Sequence, residues 1–171
     1  RLYAEDLSLT STTKVALIGP NGSGKTTFLE HLNFHLRTTS LRWGYIPQEI
    51  SAEKAKGILN KVLQLNTREK GEILSTVYRL GSDPEKILET ALPSPGELRK
   101  ILLSLLVSEE QELLILDEPT NHLDITSLHC LEEVLSDFPG AMIVVSHDRP
   151  FLKKVCTEWW EIDERMIRRS L

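Results

Sequence analysis

Gly19-Pro20-Asn21-Gly22-Ser23-Gly24-Lys25-Thr26 decides how the rest of the chain is read, because it fits the pattern G-x-x-x-x-G-K-[ST] between an apolar run and an amphipathic one. Its glycines let the backbone curl so that several N–H groups point inward at phosphate oxygens, while the helix that follows presents the positive end of its dipole. Lys25 has the reach for β and γ phosphates, and the Thr26 hydroxyl is a hard oxygen donor suited to Mg²⁺. A plain glycine-rich turn between strand and helix is the competing reading. From average composition the pattern arises by chance in roughly one chain of this length in a hundred or fewer, and here a strand precedes it and a helix follows, as the mechanism needs. The expected nucleotide contacts are Gly19, Pro20, Asn21, Gly22, Ser23, Gly24, Lys25, Thr26 and Thr27.

Immediately before this turn, Lys14 to Ile18 is short, apolar and bounded by polar residues, and Leu113 to Leu116 and Met142 to Val145 share that character. All three read as buried strands. Thr26 to Leu36 places Phe28, Leu29, Leu32 and Leu36 at helical spacing, which Leu128, Leu131, Val134 and Leu135 repeat. Both stretches predict helices packed on a sheet. Strands alternating with helices imply an α/β fold with a mainly parallel sheet flanked by helices. Between Ser51 and Leu92 the chain turns to Lys, Glu, Leu and Ala without a convincing strand, which predicts an inserted helical subdomain. The expected organisation is a single domain over residues 1–171, with a sheet core from 1–50 and 108–171 and a helical subdomain over 51–107.

Size and composition narrow the function classes. A chain of 171 residues can bury one sizeable core. Its hydrophobic share of 40% and charged share of 26% are those of a globular protein, not of a disordered or membrane-embedded one. The net charge of −5 argues against a broad nucleic-acid footprint while leaving room for a local basic patch. The longest apolar stretches, Ile101 to Val107 broken by Ser104 and Leu113 to Leu116, fall far short of the ~20 residues that span a bilayer, so no transmembrane segment is expected. Arg1-Leu2-Tyr3-Ala4-Glu5-Asp6 has no apolar core followed by a small-residue cleavage site, so the expected address is cytoplasmic. Cys130 and Cys156 lack metal-type spacing and lie in helical-looking segments, where buried free thiols are expected.

Two further stretches carry chemistry. Leu113-Leu114-Ile115-Leu116-Asp117-Glu118 is an apolar strand ending in two acids. Such a strand delivers one carboxylate, Asp117, to a metal shell and the next, Glu118, to an attacking water as general base. Strands ending in solvated acids are common, and the phosphate-binding turn is what gives this one meaning. Pro93-Ser94-Pro95-Gly96-Glu97 precedes the apolar run Leu98 to Val107 and has two compatible readings. It is a capping box, with Ser94 as N-cap, Pro95 at the first helical position and Glu97 reaching back. A helix start with a serine hydroxyl and a glycine that permits close approach is also a phosphate-binding device.

Together these residues resemble the ATP-binding-cassette (ABC) family element by element. Gly19 to Thr26 is similar to its Walker A motif, or P-loop, Gln48 in Tyr45-Ile46-Pro47-Gln48-Glu49 to the Q-loop glutamine, and Ser94 to Glu97 to the signature motif. Leu113 to Glu118 is similar to Walker B, Asn121-His122-Leu123-Asp124 to the D-loop, and His147 to the switch histidine. Pro93 and Pro95 stand where the signature more often has leucine and glycine. The resemblance implies a P-loop NTPase fold that binds ATP with Mg²⁺ and hydrolyses it in a composite site. There the P-loop of one cassette holds ATP, and the signature of a second ABC domain, in the same chain or in a homodimer, closes over the γ-phosphate with Ser94 and Gly96 donating. It also assigns Glu97 and Asp124 to the nucleotide site and Thr26, Gln48 and Asp117 to the metal. Gln48 would sense the γ-phosphate, Glu118 would activate water, and His147 would hold the γ-phosphate and orient that water.

Within the family, Asp117 to Asp124 and Val145-Ser146-His147-Asp148-Arg149-Pro150-Phe151-Leu152 most resemble the ABC-F proteins. Those usually carry two such domains and act on ribosomes as translation factors or antibiotic-protection proteins, which makes the ribosome and its RNA expected partners. Transporter subunits more often carry Ser-Ala-Leu-Asp in the D-loop. The alternatives are a transporter ATPase subunit and a nucleotide-gated clamp with negligible turnover. The clamp is disfavoured by the joint presence of Lys25, Asp117, Glu118 and His147. A single cassette, and an interval from Thr27 to Gln48 shorter than the family's, imply a fragment; Tyr3 stands past the place of the family's adenine-stacking aromatic. Among the remaining residues, His31 and His35 lie one helical turn apart and read as helix surface rather than metal ligands. Trp159 and Trp160 read as core or edge packing rather than an RNA platform, and Arg165, Arg168 and Arg169 as a solvated face, with ribosomal RNA contact as the alternative.

Overall fold

In a computed structural model of the chain, which describes residues 3–4, 7–89, 93–164 and 166–170, the apolar runs become strands and the amphipathic runs become helices. In chain order the elements are β1 (Tyr3–Ala4), β2 (Lys14–Ile18), α1 (Lys25–Leu36), β3 (Trp43–Ile46), α2 (Ala52–Gln64), α3 (Thr67–Arg79) and α4 (Pro84–Glu89). There follow α5 (Pro95–Ser108), β4 (Leu113–Asp117), α6 (Ile125–Asp137), β5 (Ala141–Val145), α7 (Arg149–Val155), β6 (Glu158–Asp163) and β7 (Met166–Ser170). The strands form one seven-stranded sheet in the order β1-β7-β6-β2-β5-β4-β3. Pairing is parallel for β1–β7, β2–β6, β2–β5 and β4–β5, and antiparallel for β6–β7.

The register places the chemistry. Val144 of β5 pairs with Ala16 of β2 on one side and with Leu116 of β4 on the other. Three parallel strands therefore end level, and the residues just beyond them, Gly19, His147 and Glu118, emerge on one edge of the sheet, where ligands of open α/β sheets bind. β4 and β5 are buried along their whole length, the mark of a central strand covered on both faces. Val15, Leu17, Leu29, Ile115, Ile143 and Ile162, each at most 1% exposed, anchor the core beneath that edge. A fully buried side chain of this size contributes roughly 1.5–3 kcal/mol.

The chain divides into two compact units. The first comprises Arg1–Tyr45, Gln111–Pro119 and Pro139–Leu171, and holds nearly all of the sheet. The second comprises Ile46–Glu110 and Thr120–Phe138 and is helical; it is wider than residues 51–107, taking in α6 as well as α2 to α5. Its helices are started by side chains: Ser51 accepts from the Lys54 N–H, and Asn66 and Glu69 form a reciprocal capping box. Val62, Ile73, Val77, Ile87, Ile101 and Leu105 make its separate core. Among the described residues no helix is long and apolar enough to cross a membrane.

Several elements are not evident from periodicity. β3 is only four residues long, and β7, Met-Ile-Arg-Arg-Ser, has too little apolar alternation to declare itself; it is a strand because β6 pairs with it. Cys156 follows α7 as its C-cap rather than lying within a helix, and is buried, whereas Cys130 is only partly buried.

Candidate active site

The turn after β2 is built from backbone conformations that side chains resist. Gly22 and Gly24 have φ of 77° and 102°, and Gly19 of 151°. A Cβ at Gly19 would lie 2.5 Å from the Ile162 carbonyl oxygen and 2.9 Å from Ser23 Oγ, so both conformation and space demand glycine. Gly24 is the N-cap of α1 and supplies no side chain to its first N–H groups, which stay available, with the positive end of the dipole, for an anion. The Ser23 N–H donates to Pro20 O at 3.2 Å and the Phe28 N–H to Gly24 O at 2.8 Å, closing the turn. Lys25 arches back over it, Nζ donating to the carbonyls of Gly19 and Pro20 at 2.9 Å each. The Ser23 hydroxyl oxygen is buried with no hydrogen-bond partner among the described residues, an unused polar group within the turn. Gly19, Pro20 and Lys25 line a cleft of about 350 Å³ together with Ser146, His147, Arg149 and Glu161. These features fit a polyphosphate.

Asp117 and Glu118, at the end of β4, are buried, 1% and 5% exposed. Glu118 has φ of 50°, unusual outside glycine, and its N–H donates to Val145 O at 2.8 Å, which ties this turn to the end of β5. From there its carboxylate meets the next loop: the His147 N–H donates to Oε2 at 3.2 Å, and His147 Nε2 lies 3.4 Å from Oε1. Burial pushes the Glu118 carboxyl above the usual carboxylate range, the His147 N–H opposes this, and the neighbouring charge of Asp117 adds to the rise. A carboxyl raised in this way, beside an imidazole that is 68% exposed, is a suitable proton acceptor. Tyr45 is pushed up to about 12 by burial and then by the carboxylates of Asp117 and Glu30, so the field at the end of β4 favours a cation. The donors that sequence points to, the Asp117 carboxylate and the Thr26 hydroxyl, are hard oxygens and fit Mg²⁺ rather than a softer metal.

In the helical unit, Ser94 caps α5 with the expected reciprocal box: the Glu97 N–H donates to Ser94 Oγ at 3.3 Å, and the Ser94 N–H to Glu97 Oε2 at 2.7 Å. The Ser94 contacts hold the Glu97 carboxyl below the usual carboxylate range. Ser94 is exposed, while Gly96 is buried against the His122 carbonyl oxygen, which a Cβ would approach to 2.8 Å. His122 has φ of 63°. Asp124 caps α6, accepting from the Ser127 N–H at 2.8 Å and the Ser127 hydroxyl at 3.0 Å. Gln48 follows β3, and its carbonyl oxygen accepts from Arg99 Nη2 at 2.6 Å.

A family model described as ABC transporter matches residues 4–121. The chain belongs to the ATP-binding-cassette family of ATPases. Its relatives include the ribosome protection protein VmlR of Bacillus subtilis strain 168, 36% identical over 167 residues, an overlap of 92% of this chain and 30% of VmlR. The ATP-binding protein Uup of Escherichia coli K12 is 34% identical over 165 residues, 86% of this chain and 26% of Uup. The ATP-binding cassette sub-family F member 2 of Bos taurus is 30% identical over 170 residues, 92% of this chain and 27% of the relative. This ABC domain therefore spans about a quarter to a third of each of these relatives. Among solved structures, the ATP-binding subunit of an ABC transporter superposes with a TM-score of 0.70 at 21% identity, covering 93% of this chain and 78% of that one. A chain from the complex of the archaeal ribosome recycling factor aABCE1 with the stalk protein aP1 superposes with a TM-score of 0.67 at 22% identity, covering 92% and 34%. At those identities the structural likeness speaks for the P-loop ATPase fold alone.

The ABC motifs do not account for two charged residues on α5. Arg99 and Lys100 are 4% and 8% exposed, although periodicity marks them only as helix members. Lys100 Nζ donates to Ser82 Oγ at 2.9 Å and to Ser127 Oγ at 2.7 Å. Two adjacent cations beside the signature were the available signal. His31 and His35 are exposed, with Nε2 atoms 3.0 Å apart, and no group of three potential metal ligands occurs among the described residues. Trp160 is buried in the core and Trp159 half-buried on β6. Arg169 is engaged by Glu158, while Arg165 and the Tyr3 side chain lie outside the described residues.

Proposed function

We propose that this domain is one cassette of an ABC-F protein that acts on the ribosome, as a translation factor or in antibiotic protection, and that MgATP binding and hydrolysis time its action. The observation that carries the catalytic part is the pairing of a buried, raised Glu118 with His147 at the sheet edge that also bears the P-loop. The ribosomal part is supported by the similarity to VmlR and by the Asn121-His122-Leu123-Asp124 loop.

Lys25 leaves the loop carbonyls for the β and γ phosphates, a charge-assisted exchange, while the α1 N–H groups and the Ser23 hydroxyl donate to the same chain of oxygens. Asp117 and Thr26 would hold Mg²⁺, whose chemistry is to neutralise charge on the transferred phosphoryl. Glu118 accepts the proton of the attacking water, and the His147 imidazole donates to the γ-phosphate and orients that water. Ser94 and Gly96 serve the nucleotide of a second cassette, with Glu97 holding the Ser94 backbone and Asp124 fixing the start of α6. Closure of the two cassettes then depends on the γ-phosphate, a nucleotide-timed switch.

The test is co-sedimentation of the full-length protein with ribosomes under ATP and ADP, using Glu118→Gln to arrest turnover. Retention with ATP and release with ADP is expected. Equal pelleting in the two nucleotides, or none, overturns the ribosomal assignment and moves weight to a transporter subunit.

A further inference from the structure

A buried ammonium is costly unless its protons are taken up by acceptors and its charge is answered. Lys100 meets this through a relay. Ser127 Oγ, on a residue 1% exposed, accepts from Lys100 Nζ at 2.7 Å and gives its single proton to Asp124 Oδ2 at 3.0 Å, so a hydroxyl is held between a cation and a carboxylate. Asp124 Oδ1 is occupied by the Ser127 N–H, which leaves the carboxylate little freedom to turn. Lys100 lies on the second turn of the helix that begins at Ser94, and on the first turn of that helix Gly96 is packed against the His122 carbonyl. Asn121–Asp124 is thus gripped by α5 at two places, by close packing at His122 and by a charged relay at Asp124. Ser82, the other acceptor of Lys100, lies on the α3–α4 connection, outside the Asn121–Asp124 segment.

We infer that Lys100 is a positioning residue that locks the Asn121–Asp124 loop to the signature helix, so that both present themselves to a partner cassette as one rigid element. The inference rests on the composite-site reading above. It adds a residue that touches neither nucleotide nor water and acts only through Ser127 and Asp124.

In the full-length protein, Lys100→Met and Ser127→Ala should lower kcat by about ten- to a hundredfold, the scale of a small misplacement of groups that act on the reacting phosphate. The equilibrium Kd for MgATP should stay at the parent value, since the P-loop is untouched. Lys100→Arg should restore most of kcat, because a guanidinium can also donate to both serines. Ser82→Ala, which leaves the relay intact, should not change kcat. Ser127→Ala keeps the lysine and Asp124's backbone cap, so it reads the relay even if Lys100→Met folds poorly. Hydrogen exchange at residues 121–128 should quicken in Lys100→Met and Ser127→Ala and not in Ser82→Ala. That readout needs no hydrolysis: a parent protein without ATPase activity overturns the composite-site reading, and exchange alone then decides the coupling. Unchanged exchange in both relay variants, or equal effects of Ser82→Ala and Ser127→Ala, would overturn it.

Discussion

Gly96→Ala and Gly57→Ala each add one methyl group to a helix, and the structure predicts opposite signs. Gly57 lies within α2, and among the described residues nothing beyond its chain neighbours and the helix's own backbone comes within 4 Å of a Cβ there, so alanine gains about 0.5–1 kcal/mol from reduced backbone entropy in the unfolded chain. At Gly96 the same methyl would lie 2.8 Å from His122 O, and ordinary contact begins near 3.4 Å, so the carbonyl must retreat by several tenths of an ångström. It cannot do so freely, because His122 already holds φ at 63°, a conformation that tolerates little adjustment. Overpacking of this kind costs about 1–3 kcal/mol. Set against the helix gain, the net loss for Gly96→Ala is up to about 2.5 kcal/mol. At about 2–4 °C per kcal/mol for a chain of this size, Tm should fall by up to about 10 °C in Gly96→Ala and rise by about 1–4 °C in Gly57→Ala. Thermal unfolding of the two variants beside the parent is the assay. If Gly96→Ala raises Tm as Gly57→Ala does, the contact yields without cost and the packing argument around the signature glycine is wrong.

Lys25→Ala should abolish tight MgATP binding, since it removes the cation of the P-loop; calorimetry with unchanged affinity would sink the P-loop assignment. Glu118→Gln should lower turnover by about 10²- to 10⁴-fold while keeping ATP affinity, and hydrolysis at the parent rate would remove Glu118 as the base. The kcat–pH profile should have its acid limb above the ordinary glutamate value of about 4.3, because burial raises Glu118 and activity disappears as pH falls through that raised value. A limb at or below the ordinary value contradicts the proposed environment. The same raised carboxyl favours the folded state at low pH, and that contribution is lost as pH rises through its folded value. With its thiol pushed up to about 12 by burial, Cys156 should resist alkylation at neutral pH in the native protein, leaving Cys130 as the labelled site. Mass spectrometry showing Cys156 labelled as fast as Cys130 would refute this.

What the sequence determined by itself is local. The P-loop is legible because its glycines, Lys25 and Thr26 lie within eight residues and their geometry is set by φ angles and N–H directions that no distant segment need supply. The Ser94–Glu97 cap closes over three residues, and the strands before Gly19, Asp117 and Ser146 announce themselves by continuous apolarity. The tertiary structure decided what depends on juxtaposition. Glu118 and His147 lie 29 residues apart, and only the β4–β5–β2 register brings them to one edge and buries the carboxyl enough to raise it. β7 is a strand through its partner rather than its composition, since two of its five residues are arginine. Lys100, read along the chain, is one more polar residue on a helix; its burial and its route through Ser127 to Asp124 exist only once α5 and α6 are packed together. Periodicity reports which face of a helix is apolar, and it carries no information about which distant hydroxyl will satisfy a buried charge.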